Sequence, residues 1–153
     1  MQIKKILSLC EKIKIEEILK KNYDCEFELR DYFVVLTADD KIWLCSKDFE
    51  KIEINNLKRV NSIGLYFGKL KKNDKIQLSI EGSMLVGKTA KKNVVVVENI
   101  QAYINGNNVY VSYENCEVNN FVIVKHKNDF FGSAILREGG LLENILPKSR
   151  RFL

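Results

Sequence analysis

The sequence is poor in the residue types on which catalytic and metal sites most often depend. Among 153 residues it has one histidine, His126, and four cysteines, no two of which form a Cys-x-x-Cys pair. Zinc sites use ligands paired a few residues apart, so no metal site is predicted. His126 lies between two lysines whose charges disfavour its protonated form, which leaves a Ser or Cys nucleophile without a suitable base. The glycine motifs that hold nucleotide phosphates are also missing. We therefore expect no enzyme activity, no catalytic residue and no cofactor.

Long apolar runs are missing as well. No segment reaches the roughly 18 consecutive apolar residues that a membrane-spanning helix needs. Lys4, Lys5 and Glu11 interrupt the N-terminal region in which a signal peptide would have its apolar core. We expect a cytoplasmic protein without a membrane segment.

Apolar residues are nevertheless frequent enough to form a core. Hydrophobic residues make up 46% of the chain and charged residues 29%, which excludes a wholly disordered protein. The length suits one ordinary domain or two very small ones.

The net charge of +5 is unevenly distributed. Residues 58–92 carry nine Lys or Arg against two Asp or Glu, whereas residues 1–57 carry ten against twelve. A second basic cluster lies within the last six residues. Two basic clusters on an otherwise balanced chain favour a polyanion-binding surface, and a lysine-rich solvated surface is the alternative. The charge pattern by itself does not separate the two.

Apolar periodicity predicts a helix first and then mostly strands. Apolar side chains from Ile3 to Cys10 follow the i, i+3, i+4, i+7 spacing, and the stripe continues, which predicts helical structure over 3–21, as one helix or as two with a break near Ile13. Alternating or β-rich runs predict strands over 25–30, 32–36, 41–45, 60–68 and 75–80. Trp43 and Phe67 lie in such strands with apolar neighbours, so both are expected in the core.

A short helix is expected after the last of these strands. Ser79 is a suitable N-cap, and the helix would carry Met84, Leu85 and Ala90 inward. Residues 87–93 then read as a junction between two units.

The second half is predicted to be mostly short strands. They are expected over 94–97, 109–111, 121–124, 130–136 and 141–142, with a helical turn over 100–104. Gly106 supplies the left-handed position that ends this turn. Residues 94–97 are all valine and have no polar face, so they are predicted to be buried on both sides. Frequent turn signals favour a small barrel, and we predict an α+β fold with modules over 1–90 and 91–153.

Several segments, in their order along the chain, resemble a known family. Residues 94–106, 107–111, 121–124 and 131–134 look like a PUA domain, the small RNA-binding pseudo-barrel named after pseudouridine synthases and archaeosine transglycosylases. Residues 64–69 and 78–82 look like the pre-PUA module of a ribosome-biogenesis factor family. The ending, residues 144–151, is similar to the RNA-binding tail of Sun/Fmu family rRNA cytosine methyltransferases and of its stand-alone archaeal relatives.

The resemblance implies an N-terminal α/β pre-PUA-like module followed by a PUA-like β-barrel. Because the methyltransferase part is missing, it also implies an RNA-binding protein without chemistry of its own, acting on rRNA or tRNA in ribosome biogenesis or RNA modification. The expected RNA-binding residues are Lys69, Lys71, Lys72, Lys88, Lys91, Lys92, Tyr103, Asn105, Gly106, Lys148, Arg150 and Arg151. Tyr103 and Tyr110, near the Gly106 turn, are candidate stacking faces, and core or cross-strand packing is the alternative for both.

The tail carries the most specific of these expectations. Pro147 fixes φ and cannot donate a hydrogen bond, which suits an edge strand or an extended segment. Arginine binds phosphate through a two-pronged fork. Replacing Arg150 and Arg151 with alanine is expected to weaken RNA binding and leave the fold intact.

A protein-interaction module is the main alternative. Acidic side chains in residues 1–57 suit docking to a partner such as an RNA methyltransferase or an assembly factor; they are Glu16, Glu17, Asp24, Glu26 and Glu28. An RNA-binding protein should be retained on a heparin column until the salt is raised, whereas a pure adaptor should not.

Overall fold

The computed structural model describes residues 2–47 and 64–152 of the chain. Within these ranges, helices and two five-stranded sheets form an α+β fold, as predicted from the sequence. The start of the strand predicted over 60–68 lies outside the described residues.

The first sheet is an antiparallel meander in which each strand pairs with the next along the chain. Its strands are β1 (Ile3–Ile6), β2 (Phe33–Thr37), β3 (Lys41–Cys45), β4 (Leu65–Lys71) and β5 (Lys75–Leu78). Helix α1 (Leu9–Tyr23) contributes Ile15, Leu19 and Tyr23 to the core that covers one face of this sheet.

The first turn of the predicted N-terminal helix is wrong. Residues from Ile3 to Ile6 form β1, and α1 begins only after Ser8. The Ser8 hydroxyl accepts a hydrogen bond from the Glu11 N–H at 3.3 Å, and the Glu11 carboxylate accepts one from the Ser8 N–H at 3.2 Å. This reciprocal cap starts the helix at that point and leaves the preceding residues free to pair with β2.

The strand predicted over 25–30 is also wrong, since residues 25–29 have no regular secondary structure. Leu29 is fully buried, and its N–H donates to the Glu16 carboxylate of α1 at 2.8 Å. A side chain of α1, rather than a neighbouring strand, therefore satisfies this backbone donor. The alternation of polar and apolar residues reflects attachment to α1.

The second sheet has the strand order β6-β8-β9-β10-β7, in which β6 runs parallel to β8 and the other pairs are antiparallel. Its strands are β6 (Val94–Val96), β7 (Val109–Tyr110), β8 (Asn120–His126), β9 (Asp129–Leu136) and β10 (Leu141–Asn144). Helix α3 (Ile100–Ile104) follows β6 and adds the fully buried Tyr103 to the core of this sheet.

The prediction that residues 94–97 are buried on both sides is wrong, since Val94 is only half-buried and Val96 is exposed. Val95 and Val97 are buried in the core of the second sheet, whereas Val96 is 50% exposed. Alternate side chains of a strand point to opposite faces, and β6 is an edge strand.

Helix α2 (Ile80–Gly87) lies between the two sheets. Ser79 caps it as predicted, accepting the Gly82 N–H at 2.9 Å. Leu85 and Ala90 are half-buried against the first core, but Met84 is 46% exposed, so its predicted inward orientation is wrong. The helix is short, and Met84 falls on the side that neither sheet covers.

The two halves of the chain also share a core. Ile123 of β8 and Phe130 of β9 belong to the same apolar cluster as α1 and the first sheet. The Ser133 hydroxyl of β9 donates to the Leu78 carbonyl of β5 at 2.9 Å. The sheets divide between residues 78 and 94, and the division into modules 1–90 and 91–153 stays a prediction.

Candidate nucleic-acid interface

Four lysines meet on one face of the first sheet. Lys41 of β3 lies directly opposite Lys69 of β4, and Lys71 of β4 lies opposite Lys75 of β5. Directly opposed residues and residues two apart on a strand point to the same face. Gln77 lies opposite Lys69 and extends this row. We call Lys41, Lys69, Lys71 and Lys75, with Gln77, the lysine face.

The lysine face points away from α1. The alternate residues of these strands, such as Ile42 of β3 and Ile76 of β5, are buried in the core that α1 covers. Lys72 is exposed in the turn that joins β4 to β5. Lys69, Lys71 and Lys72 were expected from the sequence to bind RNA. Lys41 and Lys75 were not, because only the strand register places them beside the other lysines.

Few carboxylates neutralise this face. Within the described residues, no carboxylate oxygen lies within 4.0 Å of the Lys69 or Lys71 ammonium. Lys41 is 3.3 Å from the Asp39 carboxylate, whose pKa is lowered chiefly by a hydrogen bond from Thr37 and further by Lys41. Like charges opposed across a sheet repel each other, and few carboxylates offset them here. The lysine face is therefore a region of positive electrostatic potential.

Aromatic rings adjoin the lysine face. The Tyr66 ring lies 5.1 Å from the Trp43 ring between centroids, and the Lys41 ammonium lies 5.8 Å from the Tyr66 centroid. Burial, and secondarily the charge of Asp39, raises the pKa of Tyr66. Trp43 is half-buried against a small apolar cluster that contains Val35, while Phe67 is fully buried in the main core as predicted. The prediction that Trp43 lies in the core is therefore only partly confirmed.

The second lysine cluster follows α2 and lies near the first. Lys88 and Lys91 are exposed, and the Lys92 ammonium lies 2.5 Å from the Glu117 carboxylate. A hydrogen bond from Lys92 is the main cause that lowers the pKa of Glu117, and the charge of Lys75 contributes. The Lys75 ammonium donates to the Asn119 carbonyl at 3.4 Å, so Lys75 and Lys92 contact the same segment, residues 117–119.

The C-terminal cations are more constrained than the sequence suggested. Residues Lys148–Arg150 form a single helical turn, not the predicted edge strand or extended segment. The Arg150 guanidinium lies 2.9 Å from the Glu81 carboxylate at the start of α2. Arg151 donates its Nε–H to the Leu146 carbonyl at 2.9 Å. Of the three tail cations, Lys148 alone has no polar side-chain contact among the described residues.

The expected role of Tyr103 as a stacking face is wrong. Its ring is fully buried, and its hydroxyl donates to the Ser133 carbonyl at 3.2 Å. Gly106 adopts the predicted left-handed conformation at φ +97°, but the side chain of Arg151 covers it. Asn105 is half-buried and its side chain accepts a hydrogen bond from Gln101 at 3.0 Å. In contrast, Tyr110 is 78% exposed.

Two clefts lie on either side of Arg150. A cleft of about 130 Å³, named the polar cleft for the side chains of Tyr66, Gln77, Glu81 and Ser133, also has apolar residues such as Leu146 in its lining. An apolar groove of about 430 Å³ is lined by Met84, Phe131, Arg151 and Phe152 among others. Sequence reasoning missed Gln77 and Phe152. The position of Phe152 beside two arginines was the only signal for it.

Other classes of site find little support in the described part of the chain. No group of three or more His, Cys, Asp or Glu side chains in residues 2–47 and 64–152 is placed to hold a metal ion. None of the described helices has the length and apolar character needed to cross a membrane. The His126 ring lies with Nδ1 2.7 Å from the Val97 carbonyl, which accounts for its position at the end of β8.

The chain was also compared with known proteins. No protein-family model matches the sequence. No curated protein matches it either.

Proposed function

We propose that the chain is a non-catalytic RNA-binding protein that binds rRNA or tRNA during ribosome biogenesis or RNA modification. The lysine face is the observation that carries this proposal. Two pairs of lysines face each other across three strands, and Lys69 and Lys71 have no carboxylate partner among the described residues. A phosphate chain supplies the negative charge that this arrangement lacks.

Phosphate binding accounts for the otherwise unfavourable pairing of like charges. Like charges that lie directly opposite each other across a sheet destabilise it. A polyanion replaces several counterions at once, and their release drives binding. The second cluster around Lys88 and Lys91 would extend the contact beyond the sheet.

We further propose the finer architecture that the resemblance implies. Residues 1–90 would form a pre-PUA-like module and residues 91–153 a PUA-like RNA-binding barrel. The division of the strands between two five-stranded sheets, one formed before α2 and one after it, supports this arrangement.

Salt-dependent RNA binding tests the function. Fluorescence anisotropy would measure the affinity for a labelled single-stranded RNA between about 50 and 200 mM salt. For a double variant, Lys69→Ala with Lys71→Ala, we expect the magnitude of the negative slope of log K against log salt to decrease by about 1.4. Each lost phosphate contact removes about 0.7 from this magnitude.

The matched control removes the same charge from the opposite side of the sheet. Lys14 and Lys20 are exposed on α1, and Lys14→Ala with Lys20→Ala should leave the slope unchanged. An equal loss of slope in both double variants would show that net charge, not the lysine face, determines binding. Absence of binding by the wild-type protein at the lowest salt would reject the function.

An adaptor function is the second candidate, and one observation favours it. A surface cleft of about 440 Å³ is lined by three carboxylates against one lysine and by an aromatic ring: Glu16, Glu26, Glu28, Lys20 and Phe27, with Cys25. An acidic cleft with an aromatic wall suits a basic segment of a partner such as an RNA methyltransferase or assembly factor. If this function holds alone, the protein passes through a heparin column without retention.

A further inference from the structure

The apolar groove beside the tail is lined by two exposed hydrophobic side chains. Met84 is 46% exposed and Phe152 is 66% exposed, and both line the groove with the half-buried Phe131. The Phe152 N–H donates to the Ile104 carbonyl of α3 at 2.9 Å. This hydrogen bond anchors the backbone of Phe152, so its ring is presented to solvent from a defined position.

The rim of the groove is basic. Arg150 and Arg151 both line it, and Asp129 is the one carboxylate among its lining residues. The Arg150 side chain remains 46% exposed despite its contact with Glu81, so part of its guanidinium is open to a ligand. An anionic ligand with an apolar flat face therefore suits the groove better than a neutral apolar one.

The groove is also continuous with the lysine face. Arg150 lines both the groove and the polar cleft, and Gln77 lines the polar cleft while lying directly opposite Lys69. A path thus runs from the lysine face through Gln77 and Arg150, whose guanidinium also contacts Glu81, to Phe152. A phosphate chain bound along this path would bring its bases to the groove.

We propose that the groove binds an unpaired base of single-stranded RNA, stacked on Phe152, while phosphates of the same strand contact Arg150 and the lysine face. This inference rests on the proposed RNA-binding function and names the form of RNA that is bound. Bases within a duplex are stacked on each other and present no free face, so only an unpaired base can reach the ring. The Gln77 amide has no hydrogen-bond partner among the described residues and is placed to bind the edge of a neighbouring base in the polar cleft.

The experiment compares a single-stranded RNA of about 12 nucleotides with its duplex, using the full chain. We expect the single strand to bind more tightly. Phe152→Ala should weaken single-strand binding about tenfold, because stacking on one aromatic ring contributes substantially per base. The same variant should leave duplex binding and the salt slope unchanged, since no charge is lost. Phe152→Trp, which keeps an aromatic face, should bind the single strand at least as tightly as the wild type.

Tyr110→Ala tests the competing stacking position, because Tyr110 is the other exposed aromatic ring considered for stacking and it does not line the groove. It should change neither affinity. Loss of single-strand affinity in Tyr110→Ala but not in Phe152→Ala would overturn the inference, as would equal affinity for single strand and duplex with no effect of Phe152→Ala. In both cases the RNA-binding function itself would stand. A wild-type protein that binds neither RNA would reject the function and, with it, this inference.

Discussion

Arg151 holds the C-terminal tail against the second half of the chain through two contacts. Its Nε–H donates to the Leu146 carbonyl at 2.9 Å, and its aliphatic carbons cover Gly106, where an added Cβ would come within 2.7 Å of Arg151 Cδ. Leu146 is itself buried. Arg151 therefore acts as a structural residue, and we no longer expect its replacement to leave stability unchanged.

Replacing Arg151 with alanine should lower the free energy of unfolding by about 1–3 kcal/mol, because the variant loses a charged hydrogen-bond donor and its packing on Gly106. Urea titration followed by circular dichroism measures this difference. Arg151→Lys keeps the charge but not the Nε donor and should recover only part of the loss. Lys148→Ala, at an exposed position in the same tail, should have almost no effect. Equal stability of Arg151→Ala and Lys148→Ala would contradict the structural role.

At the scale of elements, α2 depends on the absence of side chains at two of its positions. A Cβ on Gly82 would lie 2.0 Å from the Phe67 carbonyl oxygen of β4, and a Cβ on Gly87 would lie 2.5 Å from the ring of Phe130 in β9. Close approach at both points lets one short helix pack on both sheets. The Ser79 hydroxyl, which caps the helix, also donates to the Tyr66 carbonyl at 2.5 Å. The start of α2 is therefore held against β4.

We expect Gly82→Ala to lower the free energy of unfolding by about 3 kcal/mol, even though alanine has the higher helix propensity. The reason is that the added methyl group meets a strand backbone, which cannot move without disturbing β4. Thermal melting of Gly82→Ala and Met84→Ala measures the contrast, because Met84 belongs to the same helix but is exposed. A stability gain in Gly82→Ala would mean that α2 lies farther from β4.

At the scale of the whole molecule, buried contacts connect the two halves of the chain. The fully buried Asn93 donates from its amide to the Asn22 carbonyl of α1 at 2.6 Å and accepts the Glu117 N–H at 2.8 Å. Phe130 of the second sheet belongs to the apolar core of the first. Shared burial of this kind favours a single cooperative unfolding transition even where the chain has two sheets.

Unfolding in urea should therefore give the same midpoint by two probes. Fluorescence of Trp43, the one tryptophan, reports on the first sheet, and far-ultraviolet circular dichroism reports on the whole chain. Phe130→Ala should lower the free energy of unfolding by about 3–5 kcal/mol and shift both curves together. Tyr110→Ala, at an exposed position of the second sheet, should shift neither. A Trp43 transition that Phe130→Ala leaves in place would show that the two sheets unfold independently.

Features that depend on near neighbours along the chain were predictable. The strands around Phe33, Trp43 and Phe130, and the Ser79 cap of α2, follow from alternation and capping, which act over a few residues. The errors at residues 3–6 and 25–30 have the opposite origin. In the first case, pairing with β2 outweighed an amphipathic stripe, and in the second, α1 took the place of a neighbouring strand.

The candidate interface divides in the same way. The sequence by itself determined that residues 58–92 and the tail are basic, because charge is a property of the residue types. Only the tertiary structure decided which cations are available. Strand register placed Lys41 opposite Lys69, the approach of α2 gave Arg150 a carboxylate partner, and core packing buried Tyr103. Each of these results joins residues far apart in the chain, where local patterns carry no information and the burial of apolar surface sets the arrangement.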